Sequence, residues 1–238
     1  MQAIILAGGR GTRLRPYTTA FPKPLVPIGE RPICEIIVRQ LAAAGFDRLV
    51  FAVSHLAGLI EAFFGDGRKW GVEIRYAFED TPLGTAGPVG AIEGLDERFL
   101  VMNGDVLTDL DFGRLMAEHR AHGAIATLTA FPREVPVSLG VVEIAPDGSL
   151  RDYIEKPTLR YQASTGIYVF ERRIRAFLPA GVPADLPELM RRLVAAGEKV
   201  HCHAFAGEWL DIGRPEDYEL AVERFAADPG RFDPSTRG

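Results

Sequence analysis

The chain has 238 residues, 47% of them hydrophobic and 25% charged, as expected of a soluble globular protein large enough to bury one sizeable α/β core. Its net charge of −5 argues against a general nucleic-acid or membrane-surface binder, since both need a positive footprint. Cys34 and Cys202 lie far apart without CxxC spacing, so neither a zinc framework nor a disulfide is signalled; no signal peptide or membrane-length apolar run is seen, and a cytoplasmic location is expected.

Residues 3–7 read as a buried strand, which opens directly onto glycine: Gly8, Gly9 and Gly11 fall within four positions. Residues 1–39 hold six Arg or Lys (Arg10, Arg13, Arg15, Lys23, Arg31, Arg39) against Glu30 and Glu35, so an acidic chain carries a local basic excess suited to an anion. Ile33, Ile36, Ile37, Gln40 and Leu41 mark a helix face that stops at Gly45. A second strand follows at 49–53, then a helix through Leu59, Ile60 and Phe63, then a strand in which Val72, Ile74, Tyr76 and Phe78 alternate. Residues 85–95 read as a glycine-rich helix and 99–102 as another buried strand. Strands alternating with helices predict a parallel sheet with helices on both faces.

After about residue 124 the pattern changes. Residues 124–131, 140–144 and 150–154 are strands with few helices between them, and "APDGS" is a hairpin turn signal. Helical patterns return at 186–196 and at 215–227, where Pro215 suits a first turn. With no repeat or linker, the expectation is one domain over 1–228, with a substrate-binding lobe grown onto its sheet and a frayed tail at 229–238.

Open parallel sheets bind ligands at the carboxyl ends of their strands, where residues 8–13 fall. Successive glycines let backbone N–H groups converge on an anion. Two familiar phosphate loops fail here: Gly11 is followed by Thr12 and Arg13 rather than Lys-Ser/Thr, and the third glycine of a dinucleotide fingerprint is Leu14. A ligand-free turn is the plain alternative, against which Arg13 and Lys23 weigh. Asp105 in "NGD" follows a strand and Asp211 lies in "WLDIG"; either alone reads as a turn former or cap, as Asp111 does for the helix after it. Glu155 and Lys156 alone read as a surface charge pair ahead of a proline. "HCH" (residues 201–203) offers metal-ligand types, but on a strand Cys202 points away from both histidines, so no metal is expected there. Ser54 and His55 have no evident acid partner and read as a loop or cap; Trp70 and Trp209 read as packing residues.

"LAGGRGTRLRPYTTAFPKPLVPIGERP" resembles the signature of the sugar-1-phosphate nucleotidyltransferases, or nucleotide-sugar pyrophosphorylases. "EDTPLGTAGPV", "NGDVL", "IEKP" and "WLDIG" follow in that family's order, so the resemblance runs from residue 3 to about 225. It implies an α/β fold: a Rossmann-like, mostly parallel central sheet with helices on both faces and an added mixed or antiparallel sugar-binding lobe. It also implies an enzyme that joins a nucleoside triphosphate to a sugar 1-phosphate by in-line attack at the α-phosphorus, releasing pyrophosphate. Such a reaction needs charge neutralisation and alignment more than acid–base work.

By the same resemblance, Arg13 holds the departing pyrophosphate and Lys23 meets the α-phosphate, on a segment stiffened by Pro22, Pro24 and Pro27. Leu6, Ala7, Gly8, Gly9, Gly11 and Thr12 line the nucleotide, and Gly104 lies beside it. Glu79, Pro82, Leu83, Gly84, Thr85 and Ala86 wrap the base. Asp105 and Asp211 coordinate Mg²⁺. On the sugar-phosphate side, Glu155 bonds a sugar hydroxyl, Lys156 holds the phosphate and Gly140 allows close approach. Ser164, where relatives often carry Asn, stands there with Thr165. "PLGTAGP" looks most like mannose-1-phosphate guanylyltransferases, and guanine's two donors could be met by Glu79, Asp80 or backbone carbonyls. GTP with mannose 1-phosphate or a related hexose or heptose phosphate is therefore expected, with uridylyl, adenylyl, cytidylyl or thymidylyl transfer as alternatives. A non-catalytic regulatory subunit should lack charged site residues, yet Arg13, Lys23, Asp105, Lys156 and Asp211 are all present. The expected assembly is a monomer or homodimer.

Overall fold

A computed structural model of the chain describes residues 1–9, 11–79 and 81–236. Arg10 and Asp80 therefore lie outside the described residues. The first strand, β1 (Gln2–Leu6), is a near-continuous apolar run, the composition of a strand covered on both faces. The basic segment after it ends in two short paired strands, β2 (Pro27–Ile28) and β3 (Arg31–Pro32), which lead into α1 (Ile33–Ala43). Then come β4 (Arg48–Val53), α2 (Ala57–Phe64), β5 (Glu73–Phe78), α3 (Gly87–Ala91), β6 (Arg98–Asn103) and β7 (Val106–Thr108). The helix α4 (Phe112–His122) is capped as expected by Asp111, whose carboxylate accepts the Arg114 N–H at 2.8 Å. The second half holds β8 (Ala126–Pro136), β9 (Val141–Ile144), β10 (Leu150–Ile154), β11 (Thr158–Glu171), α5 (Leu186–Ala195), β12 (Val200–Ala204), β13 (Trp209–Asp211), α6 (Pro215–Ala227) and α7 (Pro229–Phe232).

The main sheet has seven strands in the order β12-β8-β11-β6-β1-β4-β5. Neighbours pair in parallel except around β11, which runs antiparallel to both β6 and β8. The fold is thus α/β with a mostly parallel sheet, as expected. Strand alternation sorts the core into two layers. Ala3 and Ile5 of β1, Phe51 of β4 and Met102 of β6 face α1, α2, α4 and α6; Ile4, Ala52 and Val101 face α3 and α5. Among the described residues no helix is long and apolar enough to cross a membrane.

Three expectations need correction. The helix expected over 85–95 spans only Gly87–Ala91, because Ile92 turns to extended backbone and Gly94 takes φ +68°. The strand expected over 124–131 runs on to Pro136, held by pairing with β11, a partner that local periodicity could not reveal. Residues 229–236 do not fray: Phe232 is buried, Asp233 is fully buried against Arg31, and the Gln40 side chain donates to the Phe232 carbonyl at 2.6 Å.

Candidate active site

Because β1, β4, β5 and β6 are parallel, their carboxyl ends share one edge, and the glycine loop leaves the sheet there. Leu6 ends β1, and the Ala7 N–H donates to the Ala52 carbonyl at 2.8 Å. Gly8 passes between the ends of β4 and β5. A Cβ there would stand 3.0 Å from the Ser54 hydroxyl and 3.3 Å from the Glu79 carboxylate. The Ser54 hydroxyl donates to the Gly8 carbonyl, a loop-fixing role that the sequence did not signal. Gly11 takes φ +60°, its carbonyl accepting from Thr18 Oγ1 at 2.7 Å and from the Leu14 N–H at 2.9 Å. Leu14 is buried while Gly9 and Thr12 are exposed, and no heavy atom lies within 4 Å of where a Gly9 Cβ would stand.

Lys23 starts a single turn, Lys23–Leu25, preceded by Pro22 and carrying the buried Pro24. That turn aims the Lys23 ammonium at Asp105 Oδ2, with which it forms a largely buried ion pair. Asp105 is positioned by Gly104, whose N–H donates to the Leu6 carbonyl at 2.9 Å. A Cβ at Gly104 would sit 3.1 Å from that same oxygen, so the close approach favours glycine. Gly104, expected beside the nucleotide, locks the end of β6 to β1 through its N–H. Asp211 ends β13, which pairs antiparallel with β7, and the Ile212 N–H donates to the Asp105 carbonyl at 3.0 Å. Two aspartates a hundred residues apart are thereby held together.

Their electrostatics show the closeness. Burial pushes the Asp211 carboxyl above the usual carboxylate range and the Asp105 charge pushes it further, while Lys23 and Arg13 pull it down. The Arg13 guanidinium and the Asp211 carboxylate flank the same face of Gly213. Among the described residues Asp105 Oδ1 is buried with no hydrogen-bond partner. An unpaired carboxylate oxygen beside a second, desolvated carboxylate is the hard-oxygen donor set that suits Mg²⁺, and these residues fit such an ion.

Glu79 lies just past the end of β5, held by its N–H to the Val53 carbonyl at 2.9 Å. Its half-buried carboxylate accepts the Leu83 N–H at 3.0 Å, and burial raises its pKa. Pro82 precedes this turn. Gly84 takes φ +77°, where a Cβ would lie 2.6 Å from the Ala184 carbonyl. The Thr85 N–H donates to Asp185 Oδ1 at 3.1 Å, Thr85 Oγ1 accepts the Leu186 N–H at 2.9 Å, and the Ala86 N–H donates to the Ala184 carbonyl at 2.8 Å. The loop is thus stapled to the start of α5 by Ala184 and Asp185, residues that sequence reading missed. An Asp before a helix signals a cap, but nothing local reveals a loop a hundred residues away.

Beyond a register shift between Ser164 and Tyr168, β8 and β11 continue as a two-stranded ribbon, next to which β9 and β10 form a hairpin. Gly140, Glu155 and Lys156 gather here: Tyr153 donates to Glu155 Oε2 at 3.0 Å, and a Cβ on Gly140 would overlap the Tyr153 hydroxyl. Lys156 has φ +46°, a left-handed backbone uncommon outside glycine, and its ammonium lies 3.9 Å from Glu155 Oε1. Ser164 and Tyr168 share a hydroxyl hydrogen bond of 3.0 Å. Thr165, expected on the sugar side, is instead buried, its hydroxyl paired with that of Thr129 and its carbonyl accepting from Trp209 Nε1 at 2.9 Å. Trp209 and Trp70 pack against the core, as read.

Residues 2–227 match the family of nucleotidyl transferases. A UTP–glucose-1-phosphate uridylyltransferase of Synechocystis is 38% identical over 242 residues, which cover 93% of this chain and 62% of that protein. A mannose-1-phosphate guanylyltransferase of Mycobacterium tuberculosis is 34% identical over 226 residues, covering 92% of this chain and 62% of the relative. The chain thus spans a little under two thirds of these relatives' length. The crystal structure of a putative glucose-1-phosphate thymidylyltransferase from Bacillus anthracis superposes with a TM-score of 0.77 at 25% identity, covering 94% of each chain.

Proposed function

The chain belongs to the nucleotidyl transferase family, and we propose that it transfers a nucleotidyl group from a nucleoside triphosphate to a sugar 1-phosphate, releasing pyrophosphate. The observation that carries this reading is the Lys23–Asp105–Asp211 cluster with Arg13, set beside an open glycine loop at the carboxyl edge. Amides around Gly9 and Thr12 bind triphosphate oxygens, and Arg13 takes charge on the departing pyrophosphate. Lys23, oriented by its proline-flanked turn, moves from Asp105 towards the α-phosphate as charge grows there. Asp105 and Asp211 hold Mg²⁺, which when bound neutralises phosphate charge and orients the α-phosphate. Glu155 and Lys156 present the sugar phosphate from the lobe, with Gly140 leaving room for it.

For the base we favour guanine, with mannose 1-phosphate or a related hexose phosphate as acceptor. Glu79 supports this, because a carboxylate at the loop suits guanine's N1–H and exocyclic amine, and the Mycobacterium tuberculosis relative is named for that reaction. UTP with glucose 1-phosphate is the second reading, favoured by the 38% identity to the Synechocystis uridylyltransferase. Pyrophosphate release measured across GTP, UTP, ATP, CTP and dTTP, each with mannose and glucose 1-phosphates, decides. The guanine reading requires the highest kcat/KM with GTP. A tenfold advantage for another nucleotide, about 1.4 kcal/mol in the transition state, rejects guanine and keeps the reaction class. No release with any pair rejects the transferase reading itself.

A further inference from the structure

Four of the chain's five histidines, His119, His122, His201 and His203, lie on α4 or β12, which pack together. His119 is fully buried and engaged by Thr127 Oγ1 at 2.8 Å. The other three surround Glu118. Glu118 and His122 are four residues apart on α4 and share a face, while His201 and His203 share a face of β12, with Cys202 exposed on the other. Glu118 Oε1 is 2.8 Å from His201 Nε2 and its Oε2 is 2.7 Å from His203 Nδ1. The His122 ring stacks on that of His201 with centroids 3.8 Å apart. One ligand atom from each of Glu118, His122 and His201 lies within 4.8 Å of the other two.

From this juxtaposition we infer that Glu118, His122 and His201 form a second metal site, for Zn²⁺ or a similar borderline transition ion, distinct from the carboxylate pair at Asp105 and Asp211. Two imidazoles and one carboxylate are a nitrogen-rich donor set that favours zinc over the hard, oxygen-seeking Mg²⁺. Zinc–ligand bonds of about 2.0–2.1 Å place tetrahedral donor atoms about 3.3 Å apart, so the three groups need only draw together slightly. His122 is exposed and free to turn inward. The ion replaces the hydrogen bond between His201 Nε2 and Glu118 Oε1: neutral His201 binds it through Nε2 with its ring proton on Nδ1, and Glu118 binds it through Oε1. Glu118 Oε2 keeps His203 Nδ1–H as its donor, the carboxylate–histidine support that orients a metal-bound carboxylate. Water fills the fourth position. The ion cross-links α4 to β12 at the sheet edge, so binding also raises thermal stability.

The test uses tag-free, metal-stripped protein in saturating Mg²⁺, titrated with Zn²⁺ against a colorimetric chelator. One equivalent of Zn²⁺ should bind and raise Tm. His122→Ala, at an exposed position where folding is not at risk, should weaken that uptake about 100-fold, and His203→Ala about tenfold through lost support. Asp211→Asn and Cys202→Ser should bind Zn²⁺ as the unaltered protein does. Absence of stoichiometric uptake by the unaltered protein overturns the site. So does unchanged affinity in His122→Ala, or a loss that follows Asp211→Asn instead.

Discussion

Asp105 and Asp211 are held by backbone hydrogen bonds at the ends of β6 and β13, and Lys23 meets Asp105 in a largely buried ion pair, whereas Glu155 and Lys156 stand exposed between a hairpin and a ribbon. On the first side, Gly104 bonds the end of β1 and Ile212 bonds Asp105, so the charged groups are placed by buried backbone. On the second, every residue of β9 and β10 is exposed, and Glu155 and Lys156 are 60% and 67% exposed. A two-stranded hairpin has little stability of its own. The contrast teaches where preorganisation is needed. Phosphoryl transfer requires fixed charges at the reacting phosphorus, and like-charged groups held together there are stable only if the fold forces them. The proposed acceptor side would need only to capture one sugar phosphate, which a more adaptable ribbon can do.

The largest expected effects test the rigid side. Asp105→Ala and Asp211→Ala should each lower kcat by at least about 10²-fold with the fold intact by circular dichroism. Full turnover of both variants with Mg²⁺, or of the unaltered protein in chelator, would contradict the metal role. Lys23→Met should lower kcat by a comparable factor, because it removes the counter-charge of Asp105 together with the proposed phosphate contact. Arg13→Ala should fall less, since Arg13 is exposed and its proposed partner is the departing pyrophosphate. Equal kcat in Lys23→Met and the unaltered protein would mean that the ion pair with Asp105 is merely structural.

The rigid side was also the more legible one. Family resemblance singled out Asp105 in "NGD" and Asp211 in "WLDIG"; alone, each reads as a turn former or cap. Their meeting was not local: it depends on β13 pairing with β7, a three-residue ladder too short to show periodicity. The same limit hid β11. Its inner half is a nearly continuous buried run, but its outer half is exposed on both faces and carries no burial pattern to read. Gly104 and Thr165 were read from motif neighbourhood as ligand contacts. In the structure the Gly104 N–H is taken by the Leu6 carbonyl, and the Thr165 hydroxyl is buried against that of Thr129. A motif marks a place in the chain; which of its atoms remain free is decided by tertiary hydrogen bonds. Ser54 and Asp185 make the converse case, since each organises a loop through a partner dozens of residues away.

On the lobe, effects should be smaller and different in kind. Lys156→Ala should raise KM for the sugar 1-phosphate about tenfold while leaving KM for the nucleotide and kcat nearly unchanged, the pattern of a lost ground-state contact. Steady-state kinetics with each substrate varied in turn separates the two. An effect confined to the nucleotide would reverse the division between the two sides.

The smallest effect concerns stability rather than rate, and it sharpens the claim that the fold forces the carboxylates together. Burial and the neighbouring Asp105 both disfavour the charged form of Asp211, so at neutral pH this carboxylate destabilises the metal-free protein. Asp211→Asn keeps the shape and removes the charge. In chelator it should therefore melt above the unaltered protein, by about 2–4 °C for each kcal/mol of relief in a chain of this size. With Asp211 as a proposed Mg²⁺ ligand, the ion should narrow or invert the gap, since it would stabilise the folded unaltered protein more than the variant. Thermal melts of both proteins, with and without Mg²⁺, give all four values. A variant that melts lower in chelator would show that Asp211 is stabilised by Lys23 and Arg13 more than it is strained by Asp105, and the rigid side would then owe its geometry to ion pairing instead of to the β7–β13 ladder.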